Sequence, residues 1–198
     1  PQVITDKKVL TTMTISYGHG ISITPMHLAS ATATIVNNGI KVEPTLLVNK
    51  PLSQKEPILS KNTSKKIRSI MRLVVSNKNG TAKKAEASGY FIGGKTGTAE
   101  KIKPSGGYYK NKNIVAFTGA FPIDDPQYII TIMIDNPKGQ KFSNGFRTAG
   151  WVVAPVVKQL VTRIAPILDV KPRLESSSKF SSNLLKYVIR DKKMGEKL

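Results

Sequence analysis

Apolar residues recur at helical spacing in three stretches of the chain and run nearly unbroken in three shorter ones. The first helical stretch follows Thr24-Pro25, with the threonine as N-cap and the proline at the first helical position. Met26, Leu28, Ala29, Ala31, Ala33, Ile35 and Val36 give its apolar content, and Asn38-Gly39 stops it. A second helix is predicted from a cap at Asn62 or Thr63 to about residue 76. Ile67, Ile70, Met71, Val74 and Val75 form one face, and Asn79-Gly80 ends it. A third covers about residues 148–167, with Trp151, Val152, Val156, Leu160, Val161 and Ile164 as its buried stripe and Pro155 early enough to be tolerated. Between the second and third helices lie three predicted strands, at residues 90–100, 114–121 and 128–135. Residues 1–13 look like a strand or an extended lead-in, and residues 40–48 like an extended segment crossing Pro44.

The strands are separated only by the turn-rich residues 104–113 and by Asp124-Asp125-Pro126. Neighbours that close pair most simply as an antiparallel meander, so the predicted fold class is α+β, an antiparallel sheet flanked by helices. The length of 198 residues supports one domain, here residues 1–168. Residues 169–198 form a basic tail expected to be weakly ordered; it holds the low-complexity run Ser176-Ser177-Ser178 and a short amphipathic stretch at 184–189.

Composition removes several chemistries. With no cysteine there is no disulfide framework and no thiol nucleophile. Two histidines, His19 and His27, do not build a three-histidine metal site, so neither a metal nor an organic cofactor is expected. His19 reads as a loop histidine rather than a base, and His27 as helix packing or surface. Asp124, Asp125 and Asp135 lack metal-ligand spacing. The net charge of +19 would attract polyanions, and an acid-free run between Glu56 and Glu86 carries Lys61, Lys65, Lys66, Arg68, Arg72, Lys78, Lys83 and Lys84. Arginine is scarce, and aromatics able to stack on bases are sparse there, so the run reads as a solvated face and a nucleic-acid partner is not favoured. A binding module for nucleic acid or an anionic polymer is the rival this charge keeps open. The most apolar stretch, residues 151–168, is interrupted by Lys158 and Arg163 and does not read as a membrane span.

The chemistry concentrates in Gly93-Gly94-Lys95-Thr96-Gly97-Thr98-Ala99, inside a predicted strand. A strand at a sheet edge offers unpaired N–H and C=O groups to an extended peptide. Gly97 removes a side chain where such a peptide approaches, Lys95 supplies positive charge, Thr96 a hydroxyl for a carboxylate, and the Thr98 N–H an oxyanion donor.

A Lys-Thr-Gly triplet followed by a turn, two strands and a closing helix resembles the penicillin-binding transpeptidases. The segment from Ser16-Tyr17-Gly18-His19-Gly20 through Thr24-Pro25-Met26-His27-Leu28-Ala29 adds to this, as does Val152-Val153-Ala154-Pro155-Val156. The chain looks like the C-terminal part of the transpeptidase domain of a class B penicillin-binding protein, closest to the cell-division type. That resemblance implies a serine D,D-transpeptidase that crosslinks peptidoglycan on the periplasmic side of the bacterial inner membrane, with any anchor outside this chain. Its substrate would be a stem peptide ending in D-Ala-D-Ala, and β-lactams would bind at the same place. Lys95 and Thr98 would be catalytic, Thr96 and Gly97 substrate-binding, and Phe142 a pocket aromatic. Division proteins and a missing N-terminal half are the implied partners, and a non-catalytic scaffold for division proteins is a further alternative.

The resemblance also requires Ser-x-x-Lys and then Ser-x-Asn before Tyr17-Gly18-His19-Gly20, and the sixteen residues there hold neither. Ser176-Ser177-Ser178-Lys179, Ser60-Lys61-Asn62 and Ser181-Ser182-Asn183 match the patterns on the wrong side of that segment and read as accidents. The chain alone is therefore expected to be inactive.

Overall fold

The computed structural model describes residues 9–16, 18, 21–47, 56–105 and 107–173. The elements are α1 (Val9–Ser16), α2 (Pro25–Val36), α3 (Lys61–Ser76), a 3-10 turn at Lys83–Ala85, and β1 (Gly93–Ile102). They continue with β2 (Tyr108–Phe121), β3 (Tyr128–Asp135), a second 3-10 turn at Lys141–Ser143, and α4 (Ala149–Ile164). The strands form one antiparallel sheet in the order β1-β2-β3, with Gly93 opposite Ala120 and Phe121 opposite Tyr128. The expected meander is present.

Helices cover both faces of the sheet. Residues two apart along a strand share a face. Val115, Phe117, Phe121 and Ile130 therefore point one way, and they join Val153, Val157 and Val161 of α4 in the main core. Ala120 and Ile129 point the other way and meet Val36 of α2 and Met71 of α3. On that second face α2 is tied to the sheet by hydroxyls. Thr32 Oγ1 lies 2.8 Å from Thr118 Oγ1, which lies 3.0 Å from Thr131 Oγ1.

Local chemistry explains the helix ends. Thr24 accepts a hydrogen bond from the His27 N–H at 3.1 Å, and Pro25 opens α2 as predicted. α2 stops at Gly39 (φ +82°), where a Cβ would lie 2.1 Å from the Leu59 carbonyl oxygen; both the backbone and the space demand glycine. α3 is capped by Ser60, whose hydroxyl accepts from the Thr63 N–H at 3.0 Å, rather than by Asn62 or Thr63. Ser60, one of the Ser-x-Asn matches, is thus a helix cap.

Several expectations are corrected. Residues 9–16 are helical, not extended; a short run rich in β-branched residues does not separate the two periods. β1 begins at Gly93, because Tyr90, Phe91 and Ile92 are core residues in the turn before it. β2 starts earlier than expected, at Tyr108. The buried stripe of α4 is Ala149, Val153, Ala154, Val157 and Val161, and Leu160 is 38% exposed. The prediction had followed bulk, whereas small residues let the helix sit close to the sheet. Met26 and Ile70 are likewise 59% exposed, so the inward faces of α2 and α3 are narrower than the apolar pattern suggested. The chain stays on the body beyond residue 168: Val170 is buried, and Arg173 pairs with Asp124 at 2.6 Å. The tail from residue 174, including Ser176, the Ser181-Ser182-Asn183 match and residues 184–189, lies outside the described residues.

The largest departure from the solvated basic face is Arg72, which is 3% exposed. Its guanidinium donates to both carboxylate oxygens of Glu86, at 2.6 and 3.1 Å, and to the Ile92 carbonyl at 2.8 Å. Arg72 therefore joins α3, the 3-10 turn and the start of β1. Arg72→Ala should cost about 3–5 kcal/mol in urea unfolding, because it strands a partly buried carboxylate and a buried carbonyl. Arg72→Lys should recover less than half of that, since an ammonium does not reproduce the bidentate fork.

Candidate active site

β1 is one of the two outer strands of the described sheet, and the carbonyls beside it reveal which way its backbone faces. A Cβ on Gly119 would lie 2.2 Å from Gly93 O, and one on Gly94 would lie 2.6 Å from Thr118 O. Both oxygens therefore point into the seam between β1 and β2. In an antiparallel pair, residues that exchange hydrogen bonds with the partner alternate with residues that turn both groups away. Lys95, Gly97 and Ala99 thus bond to Thr118, Ala116 and Ile114, while Thr96, Thr98 and Glu100 direct N–H and C=O outward. The contacts of two outward carbonyls agree: Arg72 of α3 takes the Ile92 oxygen, and Lys95 Nζ donates to Thr96 O at 2.7 Å. α3 covers the beginning of this edge, and the strand is exposed at Lys95 and from Gly97 to Glu100.

Side chains alternate the opposite way. Lys95 and Gly97 share the face of α2 and α3, and Lys95 borders a cleft of about 410 Å³ with Ile70, Leu73, Val74 and Asn77 of α3's last turns. Thr96 and Thr98 turn to the face of α4. Thr96 Oγ1 lies 2.9 Å from Thr81 Oγ1, and Thr98 Oγ1 accepts the Ala149 N–H at 3.1 Å, capping α4 from outside the helix. These two threonines border a second cleft of about 340 Å³ together with Lys83, Lys84 and Trp151.

Lys95, Thr96, Gly97 and Thr98 lie along this edge strand. Phe142 stands 66% exposed on the second 3-10 turn and borders neither cleft. Thr81, Lys84 and Trp151 escaped sequence reasoning, because no periodicity links the turn after α3 to a strand fifteen residues on. His27 Nδ1 lies 2.9 Å from the Thr24 hydroxyl at the start of α2, and His19 lies outside the described residues. The basic run is not one surface: Arg72 is buried, Arg68 donates to the Asp124 carbonyl, and Lys84 lies over Trp151. Among the described residues no cluster of three His, Cys, Asp or Glu could hold a metal, and no helix is long and apolar enough to cross a membrane.

An antiparallel sheet between helices, with Lys-Thr-Gly on an outer strand, defines a transpeptidase-like α+β fold. The family description "Penicillin binding protein transpeptidase domain" matches residues 2–161, and the chain belongs to that family. It is 37% identical over 174 residues to the probable peptidoglycan D,D-transpeptidase FtsI of Caulobacter vibrioides, covering 83% of this chain and 29% of the relative. It is 36% identical to the stage V sporulation protein D of Bacillus subtilis, covering 81% of this chain and 25% of that one. Among solved structures, penicillin-binding protein 3 of Mycobacterium tuberculosis complexed with ampicillin superposes with a TM-score of 0.70 at 26% identity, over 82% of this chain and 39% of that one. The chain therefore spans under a third of the length of these two curated relatives.

Two glycines of β1 separate packing from docking. A Cβ at Gly94 would lie 2.2 Å from the Phe117 ring, whereas one at Gly97 meets nothing within 4 Å. Gly94→Ala should destabilise the protein by about 1–3 kcal/mol through overpacking, and Gly97→Ala should stay within about 0.5 kcal/mol of the parent, as urea unfolding will measure.

Proposed function

We propose that this chain supplies the substrate-binding strand of a peptidoglycan D,D-transpeptidase of the cell-division type. The observation that carries this reading is the open edge of β1, with the Thr98 N–H turned outward beside Lys95 and Thr96. An extended peptide ending in D-Ala-D-Ala adds to that edge as a further strand. With its terminal carboxylate near Thr96 and its penultimate carbonyl at the Thr98 N–H, it runs antiparallel to β1. The Thr98 N–H then donates to the oxygen that becomes negative as a nucleophile attacks that carbonyl. One such donor contributes about 2.7–4 kcal/mol in the transition state. Lys95 adds positive charge and Gly97 leaves the approach unobstructed, while Phe142, which borders neither cleft, takes no part in the scheme. A β-lactam would present its carbonyl and carboxylate to the same groups. No metal or cofactor takes part in this scheme.

Acylation needs a serine and a lysine base held together. The sequence holds no Ser-x-x-Lys ahead of the two-glycine segment, and in this scheme an N-terminal half is the partner that supplies that pair. The setting is the periplasmic face of the inner membrane, alongside division proteins. The transpeptidase part runs on to residue 173, where Arg173 still pairs with Asp124, and the tail begins at residue 174.

Two measurements test the reading. An acetylated tripeptide ending in D-Ala-D-Ala, titrated into the 15N-labelled chain, should shift the Gly97 and Thr98 amides first. Thr98→Pro removes the outward donor without breaking the ladder and should abolish the Gly97 shift, whereas Thr98→Val, which loses only the hydroxyl cap on Ala149, should keep it. An unchanged Thr98 amide in the parent would sink the proposal. Incubation with a labelled penicillin should leave the intact mass unaltered, whereas a stoichiometric adduct on Ser176 would make that serine the nucleophile.

A further inference from the structure

The threonine side of β1 carries its own positive charge. Thr96 and Thr98 direct their hydroxyls to the α4 face, while Lys95 sits on the opposite face with its ammonium on Thr96 O. An anion bound by the threonine hydroxyls is therefore not directly beside Lys95. The cations on its side are Lys83 and Lys84 of the 3-10 turn, which border the same 340 Å³ cleft. Lys84 Nζ is held 4.1 Å from the centre of the Trp151 ring, which stacks on Phe146 at 5.1 Å. An ammonium over an indole face is positioned without being neutralised. Among the described residues no carboxylate borders the cleft, and the nearest acid in sequence, Glu86, is turned away to Arg72. Hydroxyl hydrogens remain to be donated: the Thr81–Thr96 contact uses one of two, and Thr98 acts there only as an acceptor.

We infer that this cleft is a carboxylate pocket, with Lys84 as the counter-charge for the terminal carboxylate of a peptide docked on β1. The inference rests on the docking mode proposed above and adds the residue that discriminates a free C-terminus from a blocked one. The docked polarity puts the carboxylate at Thr96, on the side of the strand where the hydroxyls and Lys84 converge. A charge-assisted contact there favours the free acid, and a peptide that continues past the second D-Ala loses it. In this pocket Lys84 binds the substrate's end and does not touch the reacting carbonyl.

Trp151 is the only tryptophan of the chain, so its fluorescence reports on this cleft. The D-Ala-D-Ala tripeptide and its C-terminal amide are titrated into the full chain, with the Thr98 amide shift recorded in parallel. The parent should bind the acid about tenfold more tightly than the amide, the size of one charge-assisted hydrogen bond. Lys84→Gln should reduce that preference to below about threefold, and Lys84→Arg should keep it. A preference that survives Lys84→Gln, with the Thr98 amide still shifting, overturns the pocket and leaves strand docking intact. If Lys84→Gln does not fold, an acid-to-amide ratio near one in the parent overturns the pocket equally. If neither ligand moves the Thr98 amide, strand docking fails and the pocket fails with it.

Discussion

One buried guanidinium sets the frame for the site. Arg72 is carried on α3 but makes all three of its described hydrogen bonds elsewhere, two to Glu86 beside the 3-10 turn and one to the Ile92 carbonyl just before β1. A charge this deeply buried is tolerated only when its donors are matched in geometry. The match fixes three segments at once: the helix that covers the start of the sheet edge, the turn that carries Thr81 and Lys84, and the strand that carries the motif. The edge opens where α3 ends, so the same contact that closes the first residues of β1 determines where a peptide can begin to pair.

From that fixed start the two-residue period of the strand distributes the chemistry. Backbone groups and side chains alternate independently, and a one-residue slip would invert both. In the observed register the Thr98 N–H faces out, Lys95 lies toward α3, and the two threonine hydroxyls lie toward α4. Packing glycines hold the register from behind: Gly94 and Gly119 have no room for a side chain, because the Phe117 ring and the Gly93 carbonyl occupy the space. Gly97 differs in kind. Among the described residues nothing excludes a side chain there, which is what an approach surface for a ligand requires.

α4 connects the core to the site. Its inner face of valines and alanines fills the main cluster, while its first turn takes the Thr98 hydroxyl as an external cap and presents Trp151 to the second cleft. The helix that closes the hydrophobic core therefore also braces the strand at the residue assigned the oxyanion role. Loosening the core under α4 would displace Thr98 before it touched Lys95, whose neighbours come from α3.

Much of this was determined by local sequence alone. Thr24-Pro25 and Asn38-Gly39 set the limits of α2, short turns forced three strands into a meander, and Lys-Thr-Gly within a strand marked the edge that matters. These are local preferences, fixed by torsion angles and hydrogen bonds within a few residues. Only the tertiary structure decided the burial of Arg72 among lysines that look alike in sequence, the true inner face of α4, the helical state of residues 9–16, and the meeting of Thr81 with Thr96 and of Lys84 with Trp151. Each of those depends on partners far along the chain, whose positions no local pattern encodes. For Arg72 the deciding physics is long-range: a charged side chain goes inside only where a distant carboxylate and a distant carbonyl are already held in place to meet it.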